Sequence, residues 1–534
     1  MSRKNRHVAV NGCRTCDIFS HVYEPTHPQN APNEFDFIVI GGCTAAGRLA
    51  ENADMKILVI EAGPHNTDEI DMISTPGRAF ELKGSQYDWG YKASMIDRPE
   101  YTRVEKPDTR GRCLAEAALA TTTRGCVVSA TYHDDDDLYP DVKDVGRDGP
   151  VHVAHPELLP ETRPFRDAFK QSWASIGLQF GNDVYNGSQS GLSNCISSIY
   201  KGVRSDASVF LEGRDNVTVM PLTYSKLLDF DGTKAVGVTV THDGQDYTFK
   251  ARHEVIVSLG VYESPKLLLL SGIGPEDQLK QHGIDVRVDS QHHGEDLLDH
   301  PILAHCFRLK DGFDLNSHIL RPGPQKSAAI EAYQRNKEGP LSSRSLDLVT
   351  FPRCDEKSKT LKDYRQYLAE HNSIDPFSPA GQPRFEIDFV LRSKDALEQP
   401  EINRRFFSDP LDLVALREGI RTTPWAMPRN SDEAMKTMFL ERSQTGFHPC
   451  GSCRLSKDIS QGVVDTNLQV HGTDSLRVID ASNFPTIPDC RIQNDVYMVA
   501  EKGADMIKAA YQHLYRKPSD GGSIVTSALG RILD

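Results

Sequence analysis

The sequence predicts an α/β fold that begins with a Rossmann-like β-α-β unit, and three observations support that prediction. An apolar run over residues 35–40 leads directly into Gly41 and Gly42. A helix-like segment follows over residues 44–52, and a second apolar run, residues 56–60, closes the unit. Short apolar runs joined by a helical segment are typical of parallel strands buried in a sheet. Later strands are predicted at residues 216–220, 235–240 and 254–258.

The turn after the first strand and the end of the second strand carry the candidate ligand-binding residues of this unit. Gly41 and Gly42 let the backbone approach a pyrophosphate, and Thr44 lies where the next helix opens. Glu61, 20 positions after Gly41, is placed to accept the hydroxyl groups of a ribose. We also assign Val219, on a later predicted strand, as a candidate contact. The pattern indicates a dinucleotide site, although many parallel sheets have a glycine-rich turn.

The composition describes a globular protein that is too long for a single core. The chain has 534 residues, so two or three domains are expected. A net charge of −14 does not favour binding to the negatively charged backbone of nucleic acid. No apolar run reaches the ~18 residues that span a bilayer. The basic first ten residues lack the apolar segment of a secretory signal, and 11 scattered cysteines suit a reducing compartment. We therefore expect a cytoplasmic protein that binds neither nucleic acid nor membrane; the oligomeric state stays open.

The two ends of the chain show no strong periodicity. Residues 1–34 are polar with several prolines, which predicts a flexible N-terminal arm, and residues 516–534 form a tail. The arm contains Cys13 and Cys16, but no further ligands follow at the spacing of a zinc site. The acidic run at residues 134–137 is predicted to be a solvated loop, since neighbouring side chains on an extended segment cannot converge on a metal.

A stretch near the C-terminus is the strongest candidate for chemistry. His448 lies among glycines in the segment 446–454, which is too tight for an ordinary helix. A histidine in a loop is a proton acceptor whose pKa lies near neutrality. The apolar strand at 476–480 ends in Asp480, which can direct a carboxylate or backbone groups at a ligand, and Ala481 follows it. Taken one at a time, these residues fit a capped loop and a strand-end turn equally well.

Taken together, four segments resemble the signatures of the glucose-methanol-choline (GMC) oxidoreductases. The segments are residues 260–274, 293–301, 446–465 and 476–482. The resemblance implies FAD as cofactor and a main FAD-binding domain over residues 35–300. It also implies an α+β substrate-binding domain built on an antiparallel sheet over residues 301–440. A C-terminal return over residues 441–515 would carry the catalytic loop.

Two cofactor motifs depart from the family pattern. The fingerprint G-x-G-x-x-G has Cys43 at its third position and Ala46 at its sixth. A side chain at Cys43 would crowd the close approach to phosphate that glycine permits. The segment 109–114 resembles the start of a second family signature. Where that signature continues with glycines, residues 115–121 carry side chains, and Glu116 adds a negative charge. Without the resemblance, that segment is an alanine-rich helix.

The resemblance also implies roles for individual residues. His448 matches the family's principal catalytic histidine, which takes or orients the hydroxyl proton of an alcohol. The position of its catalytic partner falls on Arg491, which cannot act as a base but can stabilise an anion. Asn494 can supply that hydrogen bond instead. Alternatively, Arg491 pairs with an acid and is structural. Asp480 and Ala481 are expected at the cofactor.

The predicted function is therefore oxidation of a small-molecule alcohol to a carbonyl by hydride transfer to FAD, with His448 as base. The altered motifs leave a second hypothesis open: a protein of the same fold that has lost redox activity. It would be a non-redox cyclase or lyase, or a pseudoenzyme, in secondary metabolism. No metal is expected, because Cys450, Cys453 and His448 lack a fourth ligand.

Overall fold

A computed structural model describes most of the chain. The described residues are 24–64, 71–98, 101, 104–114, 130–133, 146, 148–155, 162–178, 180–181, 191–305, 310, 321–343, 348–351, 365–366, 368–369, 389–407, 410–422, 428, 430–488 and 492–515. Several sequence predictions lie outside these residues: the Cys13 and Cys16 pair, the segment 115–121, the acidic run 134–137, Arg491 and the tail 516–534.

Twenty-one strands are numbered in chain order within the described residues. They are β1 (Glu34–Gly41), β2 (Ile57–Ile60), β3 (Tyr91–Ser94), β4 (Glu105–Asp108), β5 (Ala130–His133), β6 (Val151–Ala154), β7 (Gly191–Asn194), β8 (Ile199–Tyr200), β9 (Val203–Arg204), β10 (Val217–Met220), β11 (Tyr224–Asp231), β12 (Lys234–His242), β13 (Gln245–Ser258), β14 (Ile273–Gly274), β15 (Val288–Asp289), β16 (Pro301–Ile302), β17 (Leu348–Phe351), β18 (Phe389–Val390), β19 (Glu401–Ile402), β20 (Gln444–Thr445) and β21 (Leu476–Val478).

The helices of the described residues lie between these strands. The α-helices are Cys43–Leu49, Asp71–Ser74, Arg163–Ala174, Gly260–Leu270, Glu276–Gln281, Pro324–Asn336, Pro410–Thr422, Asp432–Arg442, Gln493–Ala510 and Gln512–Tyr515. Short 3-10 helices cover Pro28–Asn30, Pro76–Leu82, Ala207–Leu211 and Ala481–Asn483. No helix in the described part of the chain is long and apolar enough to cross a membrane.

The main sheet confirms the α/β prediction. Its strand order is β10-β2-β1-β13-β12-β11, with β21 also paired to β13. β10, β2, β1, the second half of β13 and β21 run parallel, whereas β12 and β11 add an antiparallel meander. The carboxyl ends of the parallel strands therefore meet at one edge, which is where open α/β sheets bind their ligands.

The core of this sheet follows from the period of two in its strands. Ile38 and Ile40 pack with Leu58 on one face, and Phe37 and Val39 pack on the other. Both faces are covered, so the strands read as continuous apolar runs rather than as alternating ones. The helices 43–49 and 493–510 cover the second face.

The helix over residues 260–270 differs from the sequence prediction. The Ser264-Pro265 pair in the sequence favours a helix that begins there, because proline suits the first turn. The helix instead begins at Gly260, with Pro265 inside it. Two side chains explain the earlier start. The Ser264 hydroxyl accepts the Leu259 N–H at 3.0 Å, and Ser452 donates its hydroxyl to the Val261 carbonyl at 2.6 Å. Because proline has no N–H to offer that carbonyl, Ser452 supplies the missing donor.

The first described residues run along one edge of the main sheet. Pro25 forms a parallel bridge with Val219, and the Thr26 N–H donates to the Val219 carbonyl at 2.8 Å. Pro25 and Thr26, which we assigned to the arm, therefore cover part of the open edge of β10.

The predicted second domain is described in part. Antiparallel pairs join β7 with β17, β16 with β20, and β18 with β19. The alternating pattern of residues 384–390 predicts a strand. Only Phe389 and Val390 of this segment are described, and they pair with β19. The boundaries assigned to the domains stay predictions.

Candidate active site

The first turn of the candidate site is formed by two glycines at the end of β1. Gly41 has a φ of +81° and Gly42 a φ of +61°, both in the left-handed region. A Cβ on Gly41 would lie 2.3 Å from the Ser258 carbonyl oxygen. Only glycine fits this turn, because the backbone of β13 approaches it closely at the carboxyl edge of the sheet. The predicted approach of this turn to a pyrophosphate stays a prediction.

Cys43 follows this turn, but its side chain packs inward. Its thiol donates to the Leu114 carbonyl at 2.8 Å, and the residue is 3% exposed. Burial raises the pKa of the Cys43 thiol well above its usual value, and Glu61 adds to that shift. The neutral thiol therefore belongs to the core with Phe37 and Val39. Thr44 is also buried.

Glu61 ends β2 beside this turn. Its carboxylate accepts the Gly63 N–H at 2.6 Å. Burial raises the pKa of Glu61 to about 7, although the Gly63 N–H and Arg112 oppose the shift. A ribose hydroxyl is a partner that such a desolvated carboxyl group can use.

A pocket opens between the ends of β1 and β2 and the start of β11. Its walls are formed by Ile40, Ile60, Ala62, Trp89, Thr223, Tyr224, Ser225, Leu259 and Glu263. The Ser225 hydroxyl is buried and has no hydrogen-bond partner among the described residues. The wall therefore combines apolar side chains with Thr223, Tyr224 and Glu263, and the unsatisfied Ser225 hydroxyl is a group that a ligand can bind.

Val219 does not line this pocket. Its side chain is fully buried in the core, and its carbonyl oxygen is taken by Thr26. The residues that reach the pocket from this part of the chain are instead Thr223 to Ser225. The sequence pattern locates the strand correctly, but it does not show that the chain turns toward the pocket only after β10 ends.

The Asp480 side chain joins its own loop to the start of the helix 260–270. Its carboxylate accepts the N–H groups of Gly260 at 2.9 Å and Ser482 at 2.7 Å, and the hydroxyls of Ser264 and Ser482. Burial still raises its pKa above the usual value. Four protein donors thus already occupy this carboxylate, and the expectation that Asp480 directs its carboxylate or backbone groups at a ligand stays a prediction. The Ala481 carbonyl likewise accepts the Gly451 N–H at 3.0 Å.

His448 lies in the loop after β20 and contacts a second histidine. The Nδ1 atoms of His448 and His300 are 3.2 Å apart, and the two rings stand nearly perpendicular. The residue before His448, Phe447, has a φ of +60°, which is strained for a side chain of its size. Thr445 accepts the Phe447 N–H at 2.8 Å and so supports this conformation.

One carboxylate holds both histidines. Asp299 Oδ1 accepts the backbone N–H groups of His300 at 2.8 Å and His448 at 3.0 Å. Its Oδ2 accepts from the Thr445 hydroxyl at 2.6 Å and from Arg404 Nη1 at 2.5 Å. The two loops that carry the histidines are thus joined through a single side chain.

Arg404 links this carboxylate to a second one. Its guanidinium donates to Asp108 Oδ2 at 2.5 Å and to the Tyr262 hydroxyl, and all the side chains of the ion pair are fully buried. Burial alone would raise the pKa of Asp108, but Arg404 and Arg110 hold it below the usual value. Arg110 also donates to the Phe447 carbonyl at 3.1 Å. The network therefore ends on the loop that bears His448.

Asn494 lies in the first turn of the helix 493–510. Its side-chain oxygen is buried and has no partner among the described residues, and the same holds for Asp495 Oδ2. Burial raises the pKa of Asp495. Asp495 in turn raises the pKa of the Cys450 thiol, after burial and Asp299, so the helix start and the catalytic loop are close. Arg491 lies outside the described residues.

Both cysteines of the catalytic loop are buried thiols. Burial raises the pKa of Cys450 and of Cys453, which disfavours the thiolate that zinc needs. The absence of a metal stays a prediction.

Sequence reasoning missed three members of this site. Asp299 and His300 lay inside a quoted segment, but nothing in the sequence indicates that His300 faces His448 across 148 positions. Arg404 gave no signal at all, since its role depends on three partners from separate parts of the chain.

Two family profiles match the chain, both described as GMC oxidoreductase. The first matches residues 121–302 and the second residues 388–500. The oxygen-dependent choline dehydrogenase of Rhizobium etli is 28% identical over 536 aligned residues, which cover 88% of this chain and 95% of the relative.

The solved structures extend the comparison to the fold. A crystal structure of formate oxidase is 40% identical, with a TM-score of 0.83, over 91% of this chain and 100% of that one. A structure of Aspergillus oryzae RIB40 formate oxidase, solved to study how replacing an arginine by alanine affects FAD modification, matches equally well. A fungal aryl-alcohol oxidase, 20% identical over 90% of this chain and 100% of that one, shares the fold with a TM-score of 0.73.

Proposed function

The chain belongs to the GMC oxidoreductase family, and from that premise we propose that this FAD-dependent oxidoreductase oxidises a small alcohol, with His448 as the base. The observation that carries the proposal is the buried carboxylate of Asp299, which holds the backbones of His300 and His448 together. A base that must meet a substrate hydroxyl needs a fixed position, and this loop is fixed from both sides.

The described residues fit the nucleotide end of FAD. Gly41 and Gly42 place backbone without side chains at the carboxyl end of β1, which is where phosphate oxygens bind in a unit of this type. Glu61 is a desolvated acceptor for ribose hydroxyls, and the Ser225 hydroxyl is an orphaned group in the pocket beside the ends of β1 and β2. Cys43 does not oppose this fit, because its thiol is committed to the Leu114 carbonyl.

The chemistry that FAD supplies when bound is acceptance of a hydride from carbon. The chain must supply the matching proton transfer. As hydride leaves the carbinol carbon, the hydroxyl proton must also leave, and we assign it to His448 Nε2, because Nδ1 is occupied by His300. The orphaned oxygen of Asn494 can accept a hydrogen bond from the same region of the ligand. Arg491 can stabilise a developing anion.

A second candidate substrate is formate, favoured by the 40% identity to formate oxidase over that protein's full length. Formate carries no hydroxyl proton to remove once it is ionised. A protonated His448 and a cationic Arg491 would then bind the carboxylate instead of acting on a proton.

The two substrates predict opposite pH dependences, which provides the test. Purified enzyme would be mixed anaerobically with methanol, choline or formate between pH 5 and 9, and loss of the oxidised-flavin absorbance followed. With an alcohol, the rate should fall at low pH as His448 takes up a proton. With formate, it should fall at high pH. An alcohol rate that does not change across this range would contradict the assignment of His448 as base.

The non-redox hypothesis is tested by the same preparation. This hypothesis rests on Cys43 in place of a glycine in the fingerprint. The Cys43 thiol packs inward, which weakens that reason for the hypothesis. A folded protein that is colourless and takes up no added FAD would favour the non-redox hypothesis over the proposal.

A further inference from the structure

A contact between two imidazole rings requires that one nitrogen donates and the other accepts. The Nδ1 atoms of His300 and His448 are 3.2 Å apart, so only one of them carries the proton of this hydrogen bond. Two arrangements are possible, and they leave His448 in opposite tautomers. The arrangement therefore decides what His448 Nε2 can do.

If His448 donates from Nδ1, its Nε2 holds a lone pair and can accept a proton. If His300 donates instead, neutral His448 carries its proton on Nε2 and can only donate from that atom. Proton abstraction from an alcohol requires the first arrangement. Resting on the proposed function, we propose that His300 is a positioning residue that accepts the Nδ1–H of His448 and so fixes Nε2 as the proton acceptor.

The surrounding structure supports a fixed pair. Asp299 Oδ1 binds the backbone N–H of both histidines, so neither loop can move without breaking that bond. The His300 carbonyl also accepts the Gly446 N–H at 2.7 Å, which joins β16 to the start of the catalytic loop. Two hydrogen bonds between these short segments, from the His448 N–H to Asp299 Oδ1 and from the Gly446 N–H to the His300 carbonyl, therefore limit the distance between the rings.

The charges around the pair do not select the other arrangement. Asp299 faces the backbone N–H groups of both histidines and is neutralised by Arg404. Arg110 reaches the loop through the Phe447 carbonyl, and Asp495 lies by Cys450. A positive charge on His448 would lie near the buried carboxylate of Asp299, and the neutral imidazole of His300 would accept a hydrogen bond from its Nδ1–H.

The arrangement resembles the role of the third member of a hydrolase triad, in which an acceptor behind the base sets its tautomer. Here the acceptor is an imidazole rather than a carboxylate. His300 itself need not touch the substrate, so its effect must show through the behaviour of His448.

The kinetic test uses the FAD-loaded enzyme and three variants: His300→Leu, His300→Asn and His448→Ala. Leucine removes the acceptor, whereas asparagine keeps a side-chain oxygen. With methanol or choline as donor, His300→Leu should lower kcat at least about tenfold, a part of the ~10²–10⁴ that a positioned general base contributes. KM should change less, and the low-pH limb of the profile should shift. His300→Asn should recover most of that loss.

Flavin content and thermal melting of each variant separate this effect from misfolding. Equal losses in the leucine and asparagine variants, or a wild-type pH profile in His300→Leu, would overturn the inference. If His448→Ala turns over as fast as the wild type, the proposed function fails instead, so the two failures are distinguishable.

A measurement without substrate gives an independent answer. In the flavin-loaded enzyme labelled with ¹⁵N-histidine, the imidazole nitrogen signals lost in His448→Ala identify that ring. We expect its Nδ1 to be protonated at neutral pH and its Nε2 to be unprotonated. The reverse assignment would overturn the inference, whatever the kinetics of the variants.

Discussion

The two ends of the candidate site are built in different ways. The nucleotide end is local: Gly41, Gly42 and Glu61 lie within one β-α-β unit, and each is positioned by its own strand. The catalytic end is assembled from distant segments, since the buried carboxylate of Asp299 joins His300, His448 and Arg404. Sequence patterns read the first kind of site well and the second kind poorly.

This difference has an energetic side. The nucleotide end depends on backbone conformation, where a glycine is required by a close approach of two chains. The catalytic end depends on a buried ion pair. Loss of one partner leaves the other charge buried and unpaired, which lowers the free energy of unfolding strongly. Substitutions at the two ends should therefore lower the stability of the protein for different reasons and by different amounts.

Removal of Arg404 should be the largest stability change. Arg404→Met leaves Asp299 without its buried cation and Asp108 with Arg110 alone, at a cost of about 3–5 kcal/mol. Urea unfolding followed by circular dichroism measures this, and flavin reduction should slow as the His448 loop loosens. Lys280→Met is the control, because Lys280 pairs with Glu276 on the surface and should leave the midpoint unchanged. Equal midpoints for both variants would show that the buried network does not stabilise the fold.

A side chain at the glycine turn should come next. Gly41→Ala places a Cβ 2.3 Å from the Ser258 carbonyl at a positive φ, and should cost about 2–4 kcal/mol and lower the FAD content. Gly84→Ala is a matched control, since Gly84 has a φ of +71° but no atom within 4 Å of the added Cβ. The difference between the two isolates the clash. If both variants lose the same stability, the close approach at Gly41 is not a constraint.

The smallest effect should be a pH dependence at Glu61. Its pKa is about 7 in the folded protein against a reference of 4.5, so the folded state holds a proton that the unfolded chain releases. The stability from this group is complete below pH 4.5 and is lost as the pH rises toward 7. Between pH 4.5 and 7.5, the unfolding free energy of Glu61→Gln should therefore fall by on the order of 1–3 kcal/mol less than that of the wild type. Parallel stability curves for wild type and variant between pH 4.5 and 7.5 would contradict it.

The sequence predicted the parts of the molecule whose signal is local. The parallel strands of the main sheet are apolar runs in the amino-acid sequence, because both faces of the sheet are covered there. The glycine turn and Glu61 follow from spacing alone. Val219 is predicted as a contact because its strand is recognisable, and its role stays a prediction; the residues that line the pocket from this part of the chain begin at Thr223.

Other features could not be predicted because they depend on partners far along the chain. Asp480 has the sequence of a ligand-facing residue, but the donors that satisfy it come from Gly260, Ser264 and Ser482. The helix that starts at Gly260 was predicted too short, since its proline is tolerated only because Ser452 supplies a hydrogen bond from another loop. The pairing of His300 with His448 is of the same type.

The central claim is that His448 removes the hydroxyl proton as the substrate is oxidised. The most direct test is single-turnover reduction of the flavin by methanol or choline under anaerobic conditions, in wild type and in His448→Ala. Both proteins should show the same oxidised-flavin spectrum, and the variant should bleach at least ~100-fold more slowly, the usual scale for a general base. Equal bleaching rates in two preparations with equal flavin content would contradict the claim.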